Sequence, residues 1–194
     1  MTGSALKQPA LFLDRDGVLI ENRDQYVLQW QDVAFLPSTL HALQTAARSD
    51  YLIVIVTNQS AVGRGLLSLE GAQAINRRIV EVIETHGGRI DAAYFCPHAP
   101  DDHCTCRKPQ PGMLLQAAGD LNIDLSRSVM VGDALSDIMA GQAAGVPHTI
   151  LVRTGRGRQQ AKLPLATSLR PFSVADDLSS ALTELSANLS VRSS

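Results

Sequence analysis

The chain has 194 residues, of which 45% are hydrophobic and 19% charged, with a formal net charge of −2. That length holds one domain with a substantial core and is short for two. The charge balance excludes a nucleic-acid binder driven by bulk electrostatics, and the longest apolar run, Tyr51 to Val56, is far too short to span a bilayer. Met1 to Gln8 contain no apolar stretch of signal-peptide type, so the expected location is the cytoplasm. Residues 1–8 and 189–194 are expected to fray at the ends of a single domain covering 1–194.

Ala10-Leu11-Phe12-Leu13 is a short apolar run and reads as a buried strand. Directly after it come Asp14-Arg15-Asp16-Gly17, two carboxylates two residues apart where the backbone turns at Gly17. Carboxylates this close repel unless a cation or a shared proton intervenes. A Mg²⁺ ion resolves that conflict, leaving one carboxylate to attack phosphorus and the other to move a proton. Taken alone, Asp-x-Asp-Gly also serves as a plain turn.

A helix is expected over 37–48, with Leu40, Leu43 and Ala47 at helical spacing and Pro37 in the first turn. The next strand, 51–56, runs into Thr57-Asn58-Gln59. A helix over 68–86 carries Ala72, Ile75, Ile79, Val82 and Ile83 on one face, with Ser68 as N-cap and Gly87 past its end. A strand at 91–95 leads into a cysteine-rich loop and then Arg107-Lys108-Pro109. A helix over 111–121 precedes a strand at 128–131, which ends in Gly132-Asp133 with Asp137 beyond. Further on lie a helix over 134–144, a strand at 148–152, a Gly- and Arg-rich loop at 155–160 and a last helix from about 175 to 185. Strand–helix alternation predicts an α/β fold, a doubly wound parallel sheet covered on both faces. Ligands of such sheets bind beyond the carboxyl ends of the strands. Asp14, Asp16, Thr57, Asn58 and Asp133 all fall at such ends, which gathers them into one predicted site.

Cys96-Pro97-His98 and Cys104-Thr105-Cys106 place three thiols and an imidazole within eleven residues. An odd, clustered cysteine count argues against a disulfide framework. The set Cys96, His98, Cys104 and Cys106 suits tetrahedral Zn²⁺ in a closed, structural site that pins a loop lacking secondary structure. His103, beside Cys104, is a weaker candidate ligand, and three reduced thiols are the alternative reading. The loop ends directly at Arg107-Lys108, so zinc there would position the lysine.

The order of the motifs Asp14-x-Asp16, Thr57-Asn58, Lys108 and Gly132-Asp133 resembles the haloacid dehalogenase (HAD) superfamily of phosphatases. More closely, Leu13 to Gly17, Thr57 to Ser60, Arg64-Gly65, Cys96 to His98, Cys106 to Pro109, Pro111 to Met113 and Gly132-Asp133 resemble the D-glycero-D-manno-heptose 1,7-bisphosphate 7-phosphatase family. The resemblance implies a HAD fold without a separate cap domain and with a zinc-stabilised loop. It implies Asp14 as nucleophile, Asp16 as general acid and base, Thr57 and Asn58 at the phosphoryl oxygens and Lys108 as neutralising cation. Asp14, Asp133 and the main-chain carbonyl of Asp16 would hold Mg²⁺, with Asp137 in support. Arg64 and Arg107 would clamp a second phosphate or sugar hydroxyls; Arg153, Arg156 and Arg158 are further candidates.

The implied partner is a small phosphorylated sugar on the path to lipopolysaccharide heptose, with no nucleic acid and no membrane, and the expected state is a monomer. Some members carry Lys after the Mg²⁺ aspartate, where this chain has Ala134. The segments 17–35 and 59–68 and the zinc loop are expected to wall the site and choose the substrate. Histidinol-phosphate phosphatase, which shares the zinc loop, is the rival within enzymes. A zinc-stabilised phosphate-binding scaffold without turnover is the rival outside them.

Overall fold

Ala10, Leu11, Phe12 and Leu13 are each no more than 2% exposed, as a strand covered on both faces requires. In the computed structural model, which describes residues 6–191 with side chains as far as Leu185, this segment is β1 (Ala10–Leu13). It joins β2 (Leu52–Asn58), β3 (Ala92–Cys96), β4 (Val129–Gly132), β5 (His148–Val152) and β6 (Ser173–Ala175) in one sheet of order β3-β2-β1-β4-β5-β6. Every neighbouring pair is parallel. Leu11, Leu13, Ile53, Ile55, Val129 and Val131 point to one apolar cluster, and Phe12, Val54, Val56 and Met130 to the other. The period of two along each strand thus feeds two cores.

The helices are α1 (Thr39–Ala46), α2 (Ser60–Gly63), α3 (Leu69–Thr85), α4 (Gly112–Asp120), α5 (Leu135–Ala144), α6 (Gly157–Gln160), α7 (Pro164–Ser168) and α8 (Leu178–Val191). α1, α3 and α8 cover the first face, and α4 and α5 the second. α3 forms as its sequence dictates. The Ser68 hydroxyl accepts from the Gly71 amide at 3.0 Å, Ala72, Ile75, Ile79 and Ile83 face the core, and the chain leaves the helix through Gly87.

Three expectations are corrected. α1 begins at Thr39, because Ser38 before it is left-handed and breaks the run from Pro37. The expected last helix starts at Leu178, because Ala175 pairs with Val152 in a sixth strand of only three residues. The 155–160 loop contains the single turn α6. At the ends, Gln8 bridges to Ile123 and α8 reaches Val191, while residues 1–5 and 192–194 lie outside the described residues. No described helix is long and apolar enough to cross a membrane.

Strand order reverses between β1 and β4. The crevice beyond their carboxyl ends is where such a sheet takes its ligand, and Asp14 and Asp133 are the first residues past those two strands.

Candidate active site

Asp14 is 5% exposed, and its amide donates to the Val131 carbonyl at 3.0 Å, tying the end of β1 to β4. The chain then turns back, with the Gly17 amide donating to the Ile20 carbonyl at 2.7 Å. Gly17 has φ +84, and a Cβ there would sit 2.3 Å from the Asp133 Oδ2. A Cβ on Gly155, at φ +55, would meet the same oxygen at the same distance. Two glycines therefore let the backbone close around Asp133.

Lys108, 3% exposed, is the centre of the cluster. Its Nζ donates to Asp14 Oδ1 at 2.8 Å, Asp137 Oδ1 at 2.6 Å and the Val56 carbonyl at 2.7 Å. Three ammonium protons meet three acceptors, so the charge is fully satisfied. Burial works against the ammonium, but Asp137 and Asp14 outweigh it and raise the Lys108 pKa.

Asn58 holds this lysine by its backbone. Asn58 Nδ2 donates to the Lys108 carbonyl and the Lys108 amide donates to Asn58 Oδ1, both at 3.1 Å. Asn58, expected at the phosphoryl oxygens, thus also grips the Lys108 backbone. Gln59, which the sequence did not mark out, donates to Thr57 Oγ1 at 3.0 Å and to Asp16 Oδ2 at 3.4 Å.

Asp14, Asp133 and Asp137 each bring a carboxylate oxygen within 4.8 Å of the others. Asp133 accepts from Asn22 Nδ2 at 2.6 Å and from the Arg156 amide at 2.8 Å, and pairs with the Arg156 guanidinium at 3.2 Å. Burial and then Asp14 push the Asp133 pKa up, against Arg156. Burial pushes Asp137 up to about 7; Lys108 opposes the rise, and Asp14 and Asp133 add to it. Four carboxylates (Asp14, Asp16, Asp133 and Asp137) face three paired cations (Arg15, Lys108 and Arg156), an excess of one negative charge. A divalent ion with a taste for hard oxygens fits this donor set and reverses the sign of the site. Asp16 turns its side chain away from the trio, to Arg15 and Gln59.

The cysteine loop forms the second cluster. The Sγ atoms of Cys96, Cys104 and Cys106 and the Nδ1 of His98 lie within 4.8 Å of one another. The sulfur separations are 3.0 Å for Cys96 and Cys106, 3.5 Å for Cys96 and Cys104 and 3.4 Å for Cys104 and Cys106. These approach the edges of a tetrahedron with metal–sulfur bonds of about 2.3 Å, so the set fits Zn²⁺. His103 is the left-handed residue ending the 3₁₀ turn Pro100–Asp102 and is not in the set.

The loop is tied to the site: Arg107 Nη1 donates to Ser60 Oγ at 2.7 Å and to the His98 carbonyl at 3.2 Å. Stripping zinc while supplying Mg²⁺ is expected to lower the melting temperature and cut activity by about tenfold or more. Parallel melts and phosphate-release assays check this, and full activity without zinc would contradict it.

A cavity of about 660 Å³ opens above Asp14 and Asp16. Its walls come from the 17–35 segment (Asn22, Tyr26), the 59–68 loop (Ser60, Arg64) and the zinc loop (Pro100, Arg107). Thr57, Asn58, Lys108, Asp137 and Arg156 also line it. Arg153 instead pairs with Asp176 on the surface at 2.7 Å, and Arg158 is exposed outside the cavity.

A HAD-hydrolase-like family model matches residues 105–181. The chain is 42% identical over 170 residues to the D-glycero-beta-D-manno-heptose-1,7-bisphosphate 7-phosphatase of Vibrio cholerae, covering 84% of this chain and 90% of that one. The chain belongs to this phosphatase family. The family's enzyme from Pseudomonas aeruginosa is 34% identical, over 93% of this chain and 99% of its own. The crystal structure of D,D-heptose 1,7-bisphosphate phosphatase from Bordetella bronchiseptica, complexed with magnesium and phosphate, superposes with a TM-score of 0.84 at 36% identity, covering 93% of this chain and 99% of that one. As a member of this family the chain is a HAD-superfamily phosphatase, a phosphoric monoester hydrolase. Its Cys/His cluster is compatible with a zinc site.

Proposed function

We propose that the enzyme removes the 7-phosphate of D-glycero-beta-D-manno-heptose 1,7-bisphosphate and leaves the 1-phosphate in place, supplying heptose for lipopolysaccharide precursors. The observation that carries this is the pairing of Asp14 with Lys108 at the floor of an arginine-rimmed cavity, in a chain of this family.

An Asp14 carboxylate oxygen attacks phosphorus in line with the bond to the sugar oxygen. As that bond breaks, the leaving oxygen takes a proton from the Asp16 carboxyl. In the second half Asp16 accepts a proton from water as the water oxygen attacks phosphorus, and Asp14 leaves as a carboxylate. Lys108 and the Thr57 hydroxyl hold the phosphoryl oxygens. Asp14, Asp133 and the main-chain carbonyl of Asp16 are the groups that would hold Mg²⁺, which when bound offsets charge on the transferring phosphoryl group. Asp137 fixes Lys108 through the 2.6 Å contact.

Arg64 and Arg107 stand on one wall of the cavity, suited to the phosphate that is not transferred. Ala134 places no cation after Asp133; the Arg156 guanidinium stands beside Asp133 instead. An arginine rim suits a bisphosphate and opposes the ammonium of histidinol phosphate. Arg107→Ala is expected to raise KM for the bisphosphate by about tenfold or more and to leave KM for heptose 7-phosphate unchanged. Equal effects on the two substrates would count against the clamp.

A further inference from the structure

Arg15 is a buried cation that the chemistry above leaves unused. It is 2% exposed, and its guanidinium is fully directed. Nε donates to Asp16 Oδ2 at 3.1 Å and Nη2 to Asp16 Oδ1 at 3.0 Å, a two-pronged grip on one carboxylate. The remaining prong, Nη1, donates to Asn76 Oδ1 at 2.7 Å. Asn76 lies in the inward stripe of α3 among Ala72, Ile75 and Ile79, 9% exposed, and its Nδ2 has no hydrogen-bond partner. An asparagine in an apolar stripe with half its amide unsatisfied weakens the core, unless its carbonyl has a task. Among the described residues, the task on view for that carbonyl is to fix Arg15.

We propose that Asn76 and Arg15 form a positioning clamp that sets the direction in which Asp16 presents its carboxyl to the leaving-group oxygen. The proposal rests on Asp16 acting as general acid, as above. Without Asn76 the guanidinium loses the anchor that holds its plane, and Asp16 can follow it. Gln59, bonded to both Thr57 and Asp16, steadies the same carboxylate from the phosphoryl side but cannot fix Arg15. The proton balance is unchanged: the same proton passes from Asp16 to the same oxygen, less efficiently when misaimed. Asn76 and Arg15 are thus positioning residues that touch the reaction only through Asp16.

Leaving-group dependence tests this, because a poor leaving group needs the proton and a good one does not. kcat/KM is measured with Mg²⁺ on phenyl phosphate and 4-nitrophenyl phosphate for wild type, Asn76→Leu, Asn76→Asp and Asp16→Asn. Asn76→Leu is expected to lose about tenfold or more on phenyl phosphate and less than about threefold on 4-nitrophenyl phosphate. Asn76→Asp, which restores an acceptor for Arg15, regains most of the loss. Adding Asn76→Leu to Asp16→Asn costs nothing further, since the clamp then has no acid to aim.

Equal losses on the two esters, or no loss on either, would overturn the clamp. If Asn76→Leu does not fold, Arg15→Lys, which keeps the buried charge without the fork, is read by the same ratio and the same criteria. A wild type inert toward both aryl esters and the heptose bisphosphate overturns the phosphatase reading and the clamp with it. Activity on the aryl esters with an unaltered ratio overturns the clamp alone.

Discussion

Asp14→Asn is expected to lower phosphate release by at least about 10⁴-fold while leaving the protein folded. The amide cannot form the acyl-phosphate, and no second carboxylate replaces it. Asp133 is occupied by Asn22 and Arg156, Asp137 by Lys108, and Asp16 by Arg15. The fold survives because the amide oxygen can still accept the Lys108 ammonium now held at 2.8 Å. The substitution also removes one charge from a set of four carboxylates facing three cations. Without Mg²⁺ the variant should therefore melt no lower than the wild type. Phosphate release and paired melts check both parts; activity within tenfold of wild type would contradict the assignment of Asp14.

Lys108→Met is expected to cost both activity and stability. It removes the cation paired with Asp14 and leaves the buried Asp137 without its ion-pair partner. Breaking a buried pair by removing one partner typically costs about 3–5 kcal/mol, so the melting temperature should fall by roughly 10 °C. Activity should fall by about 10³-fold or more, the loss of a preorganised cation at the transferring phosphoryl group.

The stability loss carries a pH signature. Burial already raises the Asp137 pKa to about 7 in the wild type. A carboxyl whose folded pKa lies above its unfolded one stabilises the fold below the unfolded value, and that contribution is lost as pH rises through the folded pKa. Removing Lys108 moves the folded value higher still. Without Mg²⁺, the gap in melting temperature between variant and wild type should thus widen from pH 5 to pH 8. A gap independent of pH would contradict the role given to the ion pair.

The strands were readable because each is a run of apolar residues bounded by polar ones, and a parallel sheet buries both faces of such a run. β6 was not, since Ser173-Val174-Ala175 is too short to show a period and gains its place only by pairing with β5. In the site, Asp14, Asp16, Thr57, Asn58 and Asp133 could be gathered because each falls at a strand end, and the family resemblance added Lys108. The groups that aim them could not. Arg15 and Asn76 are 61 residues apart in sequence, Asn22 and Asp133 are 111 apart, and only the fold brings each pair together. The bond between the Asn58 amide and the Lys108 backbone was hidden for the same reason, since 50 residues separate the two in sequence. The zinc set was the easiest to see, because its four ligands sit within eleven residues.

The most direct test of the central claim is a ³¹P NMR time course with Mg²⁺ on D-glycero-D-manno-heptose 1,7-bisphosphate, with the beta and alpha anomers run separately beside histidinol phosphate. The predicted result is loss of the 7-phosphate signal of the beta anomer, with the 1-phosphate signal retained and the other two substrates slower. Release of the 1-phosphate, or faster turnover of histidinol phosphate, would contradict it.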